Sequence, residues 1–282
     1  MEILITGASG KLGMYLLREG PDQLVGCSRN PPLQSFGRSV ERLDPSDLDR
    51  LEPLNPQVII HTAALSAVAD CHQNPDLADQ VNHLLTARLA HWCHANGRRF
   101  IYVSTDMVFD GESAPYREDA NPCPLSEYGR SKWRGEKAAL AFDSTLVARI
   151  ALMVGPALGT GRAHYDQLVE QLRAGQSLSL FQDEWRGMIS YQDAAQALLQ
   201  LCRQPVTGIV HLAGPRLSRL ELGQQIAAKL GVPSLVTAGW RSDYPAPEPR
   251  ARDLTLADTR LHAILPDWSP RSIASQLDAW LT

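Results

Sequence analysis

The first thirteen residues constrain this chain more than any later stretch. Glu2 to Thr6 read as a short buried strand, Gly7-Ala8-Ser9-Gly10-Lys11-Leu12-Gly13 comes next without a break, and an apolar helical stretch begins at Met14. Glycines spaced G-x-x-G-x-x-G between a strand and a helix meet three physical needs. They allow a tight turn, close backbone approach to a pyrophosphate, and close helix–strand packing. The helix N-terminus would then offer free N–H groups and the positive end of its dipole to the phosphates. Ser9, Lys11 and Leu12 lie between the glycines and join Gly7, Gly10 and Gly13 as candidate cofactor contacts. Glycine-rich turns of this kind also exist without a ligand, so the meaning of the motif depends on the rest of the chain.

Beyond Gly13 the chain alternates helix and strand. Candidate strands are Glu2–Thr6, Gln23–Ser28, Ser39–Leu43, Gln57–His61, Arg99–Ser104 and Thr145–Ile150, with helical patterns at Lys11–Glu19, Ser46–Leu51, Pro75–Ala95 and Leu125–Phe142. Such alternation argues for an α/β fold, a Rossmann-type doubly wound parallel sheet covered on both faces. Later segments are less regular. Arg162–Ala174 and Tyr191–Arg203 read as helices, Gly208–Leu212 as a strand, and Ser218–Leu230 as a helix with Ser218 as N-cap. Tyr244–Pro249 is a proline-rich loop and Ser269–Leu281 a final helix. The expected division is a nucleotide-binding domain over 1–152, its sheet completed by about 188–213. A small α/β C-terminal substrate lobe then takes 153–187 and 214–282.

Tyr128 and Lys132 lie four residues apart, so a helix stacks them on one face. An ammonium beside a phenol favours the phenolate, and Thr105, ending an apolar run, offers a hydroxyl to the same substrate oxygen. With seven tyrosines and four lysines in the chain the pair could arise by chance, so its weight comes from the upstream motif. The second strand ends Gly26-Cys27-Ser28-Arg29-Asn30, without the acidic residue that binds the adenosine ribose in NAD-specific folds. Arg29 facing a 2′-phosphate favours NADPH, with NADH open as the alternative; a plain surface arginine is the other reading.

Composition excludes several classes. A net charge of -4 gives no reason to expect nucleic acid or an anionic membrane as partner. No run of eighteen apolar residues occurs, and no signal-peptide pattern opens the chain, so the cytoplasm is the expected location. Five scattered cysteines lack metal-ligand spacing and read as reduced thiols; no metal is expected. His91 and His94 read as surface residues, His61 as structural, and Asp183 and Glu184 as a solvated turn. Trp240, Trp268 and Trp280 read as packing residues.

The chain resembles the extended short-chain dehydrogenase/reductases, and within them the dTDP-4-dehydrorhamnose reductase branch. The resemblance rests on Gly7 to Gly13, on His61-Thr62-Ala63-Ala64 and on Asn82. It continues through Ser104-Thr105-Asp106-Met107-Val108-Phe109-Asp110-Gly111, Pro115 to Asp119 and Tyr128-Gly129-Arg130-Ser131-Lys132. It implies hydride transfer from NADPH to a ketone of a nucleotide-linked sugar. Tyr128 would be the general acid, Lys132 its electrostatic partner and cofactor-ribose ligand, and Thr105 the hydrogen-bond partner of the carbonyl. Ala63 and Ala64 would leave room for the cofactor, and Asp44 would sit near the adenine. Asp106, Leu152 and Arg186 would meet the substrate, Arg186 at its diphosphate. Met107 and Leu152 stand where relatives carry aromatics, which weakens the expectation of a stacked sugar. The same branch includes the regulatory β subunit of methionine adenosyltransferase, so a cofactor-binding regulatory subunit is a second expectation. A sugar-nucleotide epimerase or dehydratase is a third. The family often dimerises, so a homodimer is among the expectations.

Overall fold

The computed structural model describes residues 2–31, 36–159 and 161–281. The first part of the chain runs β1 (Ile3–Thr6), α1 (Lys11–Glu19), β2 (Leu24–Ser28), β3 (Ser39–Arg42), α2 (Leu48–Leu51) and β4 (Val58–His61). It continues through α3 (Val68–Gln73), α4 (Pro75–Asp79), α5 (Leu85–Ala95), β5 (Arg99–Thr105), α6 (Glu127–Ala139) and β6 (Thr145–Ile150). The second part begins with β7 (Met153–Val154), α7 (His164–Arg173), β8 (Leu178–Phe181), β9 (Trp185–Gly187), β10 (Ile189–Ser190) and α8 (Tyr191–Leu201). It ends with β11 (Gly208–Leu212), β12 (Arg216–Ser218), α9 (Arg219–Lys229), β13 (Val236–Gly239), α10 (Thr259–Ile264) and α11 (Ile273–Leu281).

Seven strands form one parallel sheet in the order β11-β6-β5-β4-β1-β2-β3. Alternate residues of a strand face opposite sides, and both sides of the central strands are covered, so β1, β4, β5 and β6 are mostly apolar while the edge strand β3, Ser39–Arg42, is mostly exposed. Ile3 and Ile5 of β1 enter a core with α1 and α8, whereas Leu4 between them enters one with Leu89 and Cys93 of α5. The chain order reverses between β1 and β4, and open α/β sheets leave a crevice beyond the carboxyl ends of their strands at such a point. Gly7, Thr62 and Thr105 lie at that edge.

A third core gathers α7, α9 and α11 through Leu168, Leu172, Leu222, Ile226, Ile273 and Leu277. It is framed by short pairings, β8 with β13 in parallel and β9 with β12 antiparallel. The C-terminal segment then crosses back, bridging Leu256 to Tyr116 and Asp253 to Trp185. Ser218 caps α9 as the sequence suggests, its Oγ accepting from the Glu221 N–H while Glu221 accepts from the Ser218 N–H.

Three sequence expectations need correction. The helix expected over Pro75–Ala95 is broken by a π-turn at Gln80–Leu84. There the Asn82 carbonyl accepts from Thr86 Oγ1 and the Tyr102 hydroxyl, while its side chain clamps the Leu65 backbone. Trp240 is half exposed rather than packed, at 53%. Glu184 is buried, not solvated, at 1%.

α6 approaches this π-turn closely because residue 135 is glycine. A Cβ there would overlap the Asn82 carbonyl oxygen and lie 2.5 Å from the Tyr102 hydroxyl oxygen. Gly135→Ala is expected to lower the unfolding free energy by about 1–3 kcal/mol, as overpacking does, and urea unfolding measures it.

Candidate active site

α1 begins at the carboxyl edge of β1, and its first turn is built on backbone contact. Gly7 has φ +73°, and a Cβ on it would lie 2.7 Å from the Ala63 nitrogen. A Cβ on Gly13 would sit 2.8 Å from Ala8 Cα. These close approaches leave a cradle floored by main chain at a helix N-terminus, which suits a pyrophosphate. Ser9 Oγ bonds Ser28 Oγ at 2.7 Å, tying the cradle to the end of β2. Beyond it stand Arg29 and the Asp44 carboxyl. A hydrogen bond from the Ser46 backbone, aided by the nearby Arg29 and Arg88 charges, holds that carboxyl below its usual range.

Below the cradle, His61 is fully buried and fully bonded. Thr86 Oγ1 donates to the Asn82 carbonyl, so it accepts from His61 Nε2–H at 3.2 Å, and His61 Nδ1 accepts from Thr6 Oγ1 at 2.6 Å. Burial, with the Lys132 charge, pushes the imidazole down to about 3. It is a neutral structural strut.

α6 carries the other half of the site. Ser126 caps it by accepting from the Gly129 N–H at 3.1 Å. Tyr128, Lys132 and Glu136 stand at four-residue intervals on the face toward β5 and β6. Lys132 is 2% exposed; its Nζ donates to the Val103 carbonyl at 2.7 Å and lies 4.0 Å from the centre of the Tyr102 ring. Burial pulls its pKa down to about 7, against the opposing pull of Glu136. Glu136 in turn holds Arg149 of β6, with Arg149 Nη2 2.8 Å from Glu136 Oε2 and both side chains buried. Ser104 Oγ donates to the same carboxylate.

The lowered phenol pKa expected from the Lys132 ammonium is not found, because burial of Tyr128 dominates. Burial raises the phenol above its usual range; the Thr105 hydrogen bond opposes this, and the Asp106 and Cys71 charges reinforce it. The Lys132 ammonium is directed at a carbonyl and a ring face, deeper in the fold. The tyrosine therefore holds its proton at neutral pH.

A single cleft of about 960 Å³ collects the sequence candidates. Gly7, Ser9, Gly10, Lys11, Leu12, Gly13, Arg29, Asp44, Ala63 and Ala64 line one part of it; Thr105, Asp106, Tyr128, Lys132, Leu152 and Arg186 line the other. Sequence reading missed Leu84, Leu85 and Arg88, which line the cleft from the long helix, Arg88 Nη2 donating to the Ser46 carbonyl at 3.0 Å beside Asp44. It also missed Arg219, which lines the substrate end. Arg186 does not stand free for a diphosphate. It lies 3.7 Å from Asp106 Oδ2 and 3.4 Å from Glu184 Oε1, and Arg219 Nε is 2.8 Å from the same Glu184 oxygen. Burial alone would raise the Glu184 carboxyl, but Arg219 and then Arg186 hold it below the usual range. His91 and His94 lie on the surface beside the Phe142 ring. The five cysteines are free thiols. Among the described residues no helix is long and apolar enough to cross a membrane.

A parallel sheet with a glycine cradle at its switch point and Thr105, Tyr128 and Lys132 on the adjoining strand and helix defines an NAD(P)-binding protein of the extended short-chain dehydrogenase/reductase type. Comparison with known proteins narrows this. The family described as the RmlD substrate binding domain matches residues 1–279, and the chain belongs to that family. The chain is 32% identical over 263 residues to dTDP-4-dehydrorhamnose reductase of Mycobacterium tuberculosis, covering 88% of this chain and 82% of that one. It is 31% identical over 243 residues to methionine adenosyltransferase 2 subunit beta of Xenopus laevis, covering 82% and 72%. A crystal structure of dTDP-4-dehydrorhamnose reductase from Bacillus anthracis in complex with NADP shares the fold. It has a TM-score of 0.86 and 21% identity, covering 100% of this chain and 99% of that one.

Lys132 makes a pH-dependent contribution to stability. In the unfolded chain it titrates near its ordinary 10.5, in the fold at about 7. Between these values the unfolded state holds the extra proton, so this contribution rises with pH. Lys132→Met removes it. The variant is expected to be more stable than wild type at neutral pH, and its advantage to shrink steadily as pH rises from about 7 toward 10.5, as read by urea unfolding of both proteins.

Proposed function

We propose that the protein is an NADPH-dependent reductase of a nucleotide-linked 4-keto-6-deoxy sugar, of the dTDP-4-dehydrorhamnose reductase type. One observation carries the reading. Thr105, Tyr128 and Lys132 converge at one end of the cleft whose other end is the glycine cradle. In this reading residues 1–152 and 188–213 hold the cofactor, and 153–187 and 214–282 close the substrate end. The exposed Arg29 faces the 2′-phosphate, with Arg88 also near Asp44, and NADH is the alternative cofactor.

Bound NADPH supplies the hydride that reduces the carbonyl carbon. The chain's own residues manage the oxygen. As charge develops there, Tyr128 gives up its phenolic proton, leaving a hydroxyl on the product and a phenolate that solvent reprotonates. The raised phenol pKa suits this direction, because an alkoxide is a stronger base than a phenolate. Lys132 lies one turn along the helix and steadies that phenolate. Thr105 hydrogen-bonds the same oxygen and orients it. Burial of Thr105, Asp106 and Lys132 keeps water from competing. The proposed location is the cytoplasm and the proposed assembly a homodimer.

The likeness to methionine adenosyltransferase 2 subunit beta supports a second reading, a regulatory subunit that binds NADPH without turning it over. An epimerase or dehydratase is disfavoured by Arg29 in place of an acidic residue and by Met107 where a dehydratase carries a second acid. Tyr128→Phe separates the two main readings. For a reductase, kcat for NADPH oxidation with a 4-keto sugar nucleotide falls by about 10²–10⁴-fold, while NADPH binding, tracked by fluorescence, is unchanged. A wild-type protein that binds NADPH but reduces no ketone in a panel of nucleotide-4-keto sugars would sink the reductase reading.

A further inference from the structure

Thr105 has one hydroxyl proton and two lone pairs. The proton goes to Asp106 Oδ1 at 3.1 Å. One lone pair accepts from the Met107 N–H at 3.2 Å, and the Tyr128 hydroxyl lies beside the same oxygen. A carboxylate only accepts. With Asp106 ionised, the Thr105 proton is therefore held on the carboxylate and points away from an incoming ketone. A ketone oxygen can use donors only, so this polarity is wrong for the reaction.

Asp106 is placed to reverse it. The residue is 3% exposed, borders the cleft, and leaves Oδ2 without a hydrogen-bond partner. The groups facing it are Arg186, whose Nε lies 3.7 Å from Oδ2, together with Arg219, Glu184, Tyr128 and Thr105. Burial lifts the carboxyl above its ordinary range; Arg186, the Thr105 bond and Arg219 pull back, and Glu184 adds to the lift.

We propose that Asp106 is a positioning residue that works as a carboxylic acid, donating to Thr105 Oγ1 and so freeing the Thr105 proton to turn toward the substrate oxygen beside Tyr128. The hydrogen-bond count then closes. Thr105 accepts from Asp106 and from the Met107 N–H, and donates its proton to one lone pair of the ketone oxygen. Tyr128 donates to the other and transfers its proton as the C–H bond forms. Asp106 ends each turnover with its own proton, so it consumes nothing. The proposal rests on the reductase reading above.

Asp106→Asn and Asp106→Leu test it. An amide nitrogen donates to Thr105 at every pH, so D106N is expected to keep a kcat close to wild type and to lose a fall on the alkaline side that wild type shows. D106L leaves Thr105 without that donor, and its kcat is expected to fall by about 10²–10³-fold with NADPH affinity unchanged. The proposal is overturned if D106N is as slow as D106L, or if D106N keeps the wild-type alkaline fall. A second measurement needs no turnover. In ¹³C-carboxyl NMR of aspartate-labelled protein, the resonance missing from D106N should titrate above the ordinary aspartate range. A resonance that titrates within or below that range overturns the proposal even if the protein reduces ketones. Wild-type inactivity on every ketone, with that resonance still titrating high, counts against the reductase reading and leaves the Asp106 proton in place.

Discussion

An ammonium buried between β5 and α6 sets the terms for the rest of the molecule. Lys132 is almost wholly removed from water, and a cation in that position must be compensated or neutralised. The fold compensates it in a line. Lys132 donates to the Val103 carbonyl and faces the Tyr102 ring; Glu136 stands one turn further along the helix; Arg149 reaches across from β6 to Glu136. The links pass between α6 and the strands β5 and β6, so the line fastens α6 to these two strands through polar contacts. Removing one partner of a buried pair costs about 3–5 kcal/mol, a large part of the roughly 5–15 kcal/mol that holds a typical domain together. Tyr128 sits on the same helical face one turn before Lys132. Its position is thus fixed by charges that take no part in proton transfer.

A second constraint acts at the other half of the cleft, and it is steric. Gly7 and Gly13 let the β1–α1 turn, the start of the loop after β4 and the first turn of α1 approach to backbone contact. Gly135 does the same for α6 against the π-turn, and Asn82 in that turn reaches both the Leu65 backbone and Ser131 Oγ. The cofactor end and the proton-donor end are therefore joined through two close approaches and one buried amide. His61 lies between them with every ring nitrogen bonded and no accessible charge, which suits a strut inside a region where a titrating group would disturb Lys132.

Legibility in the sequence tracks the range of the interactions. β1, α1 and the strands of the central sheet were readable because their apolar runs and their glycines act locally. Tyr128, Lys132 and Thr105 were readable because helix period and strand end place them without knowledge of the fold. The raised pKa of the Tyr128 phenol was not, since burial of the hydroxyl, set by the surrounding fold, outweighs the charge of its helix neighbour. Glu184 read as solvated because its neighbour Asp183 is also acidic. Its burial depends on Arg219 and Arg250, which lie 35 and more residues downstream. β8 pairs with β13 and β9 with β12 over similar separations, and strands of three or four residues carry too few side chains to show a period. Arg88 was hidden for another reason: on a helix its sequence neighbours say which face it is on, not what stands opposite.

The substrate end differs in kind from the cofactor end. The cradle is main chain, and side-chain changes there meet backbone at under 3 Å. At the far end, Asp106 and Glu184 share Arg186, Arg219 and Arg250 within a few ångströms. The three guanidiniums attract an anionic ligand, yet each of them has an internal carboxylate partner. A diphosphate must therefore compete with Glu184 for donors rather than dock on an idle arginine. Leu152 and Met107 border the same space and offer apolar surface without a ring to stack. Recognition at this end thus rests on redistribution of hydrogen bonds among charged groups. Such a network can be retuned by single substitutions while the cradle and the line from Lys132 to Arg149 stay fixed.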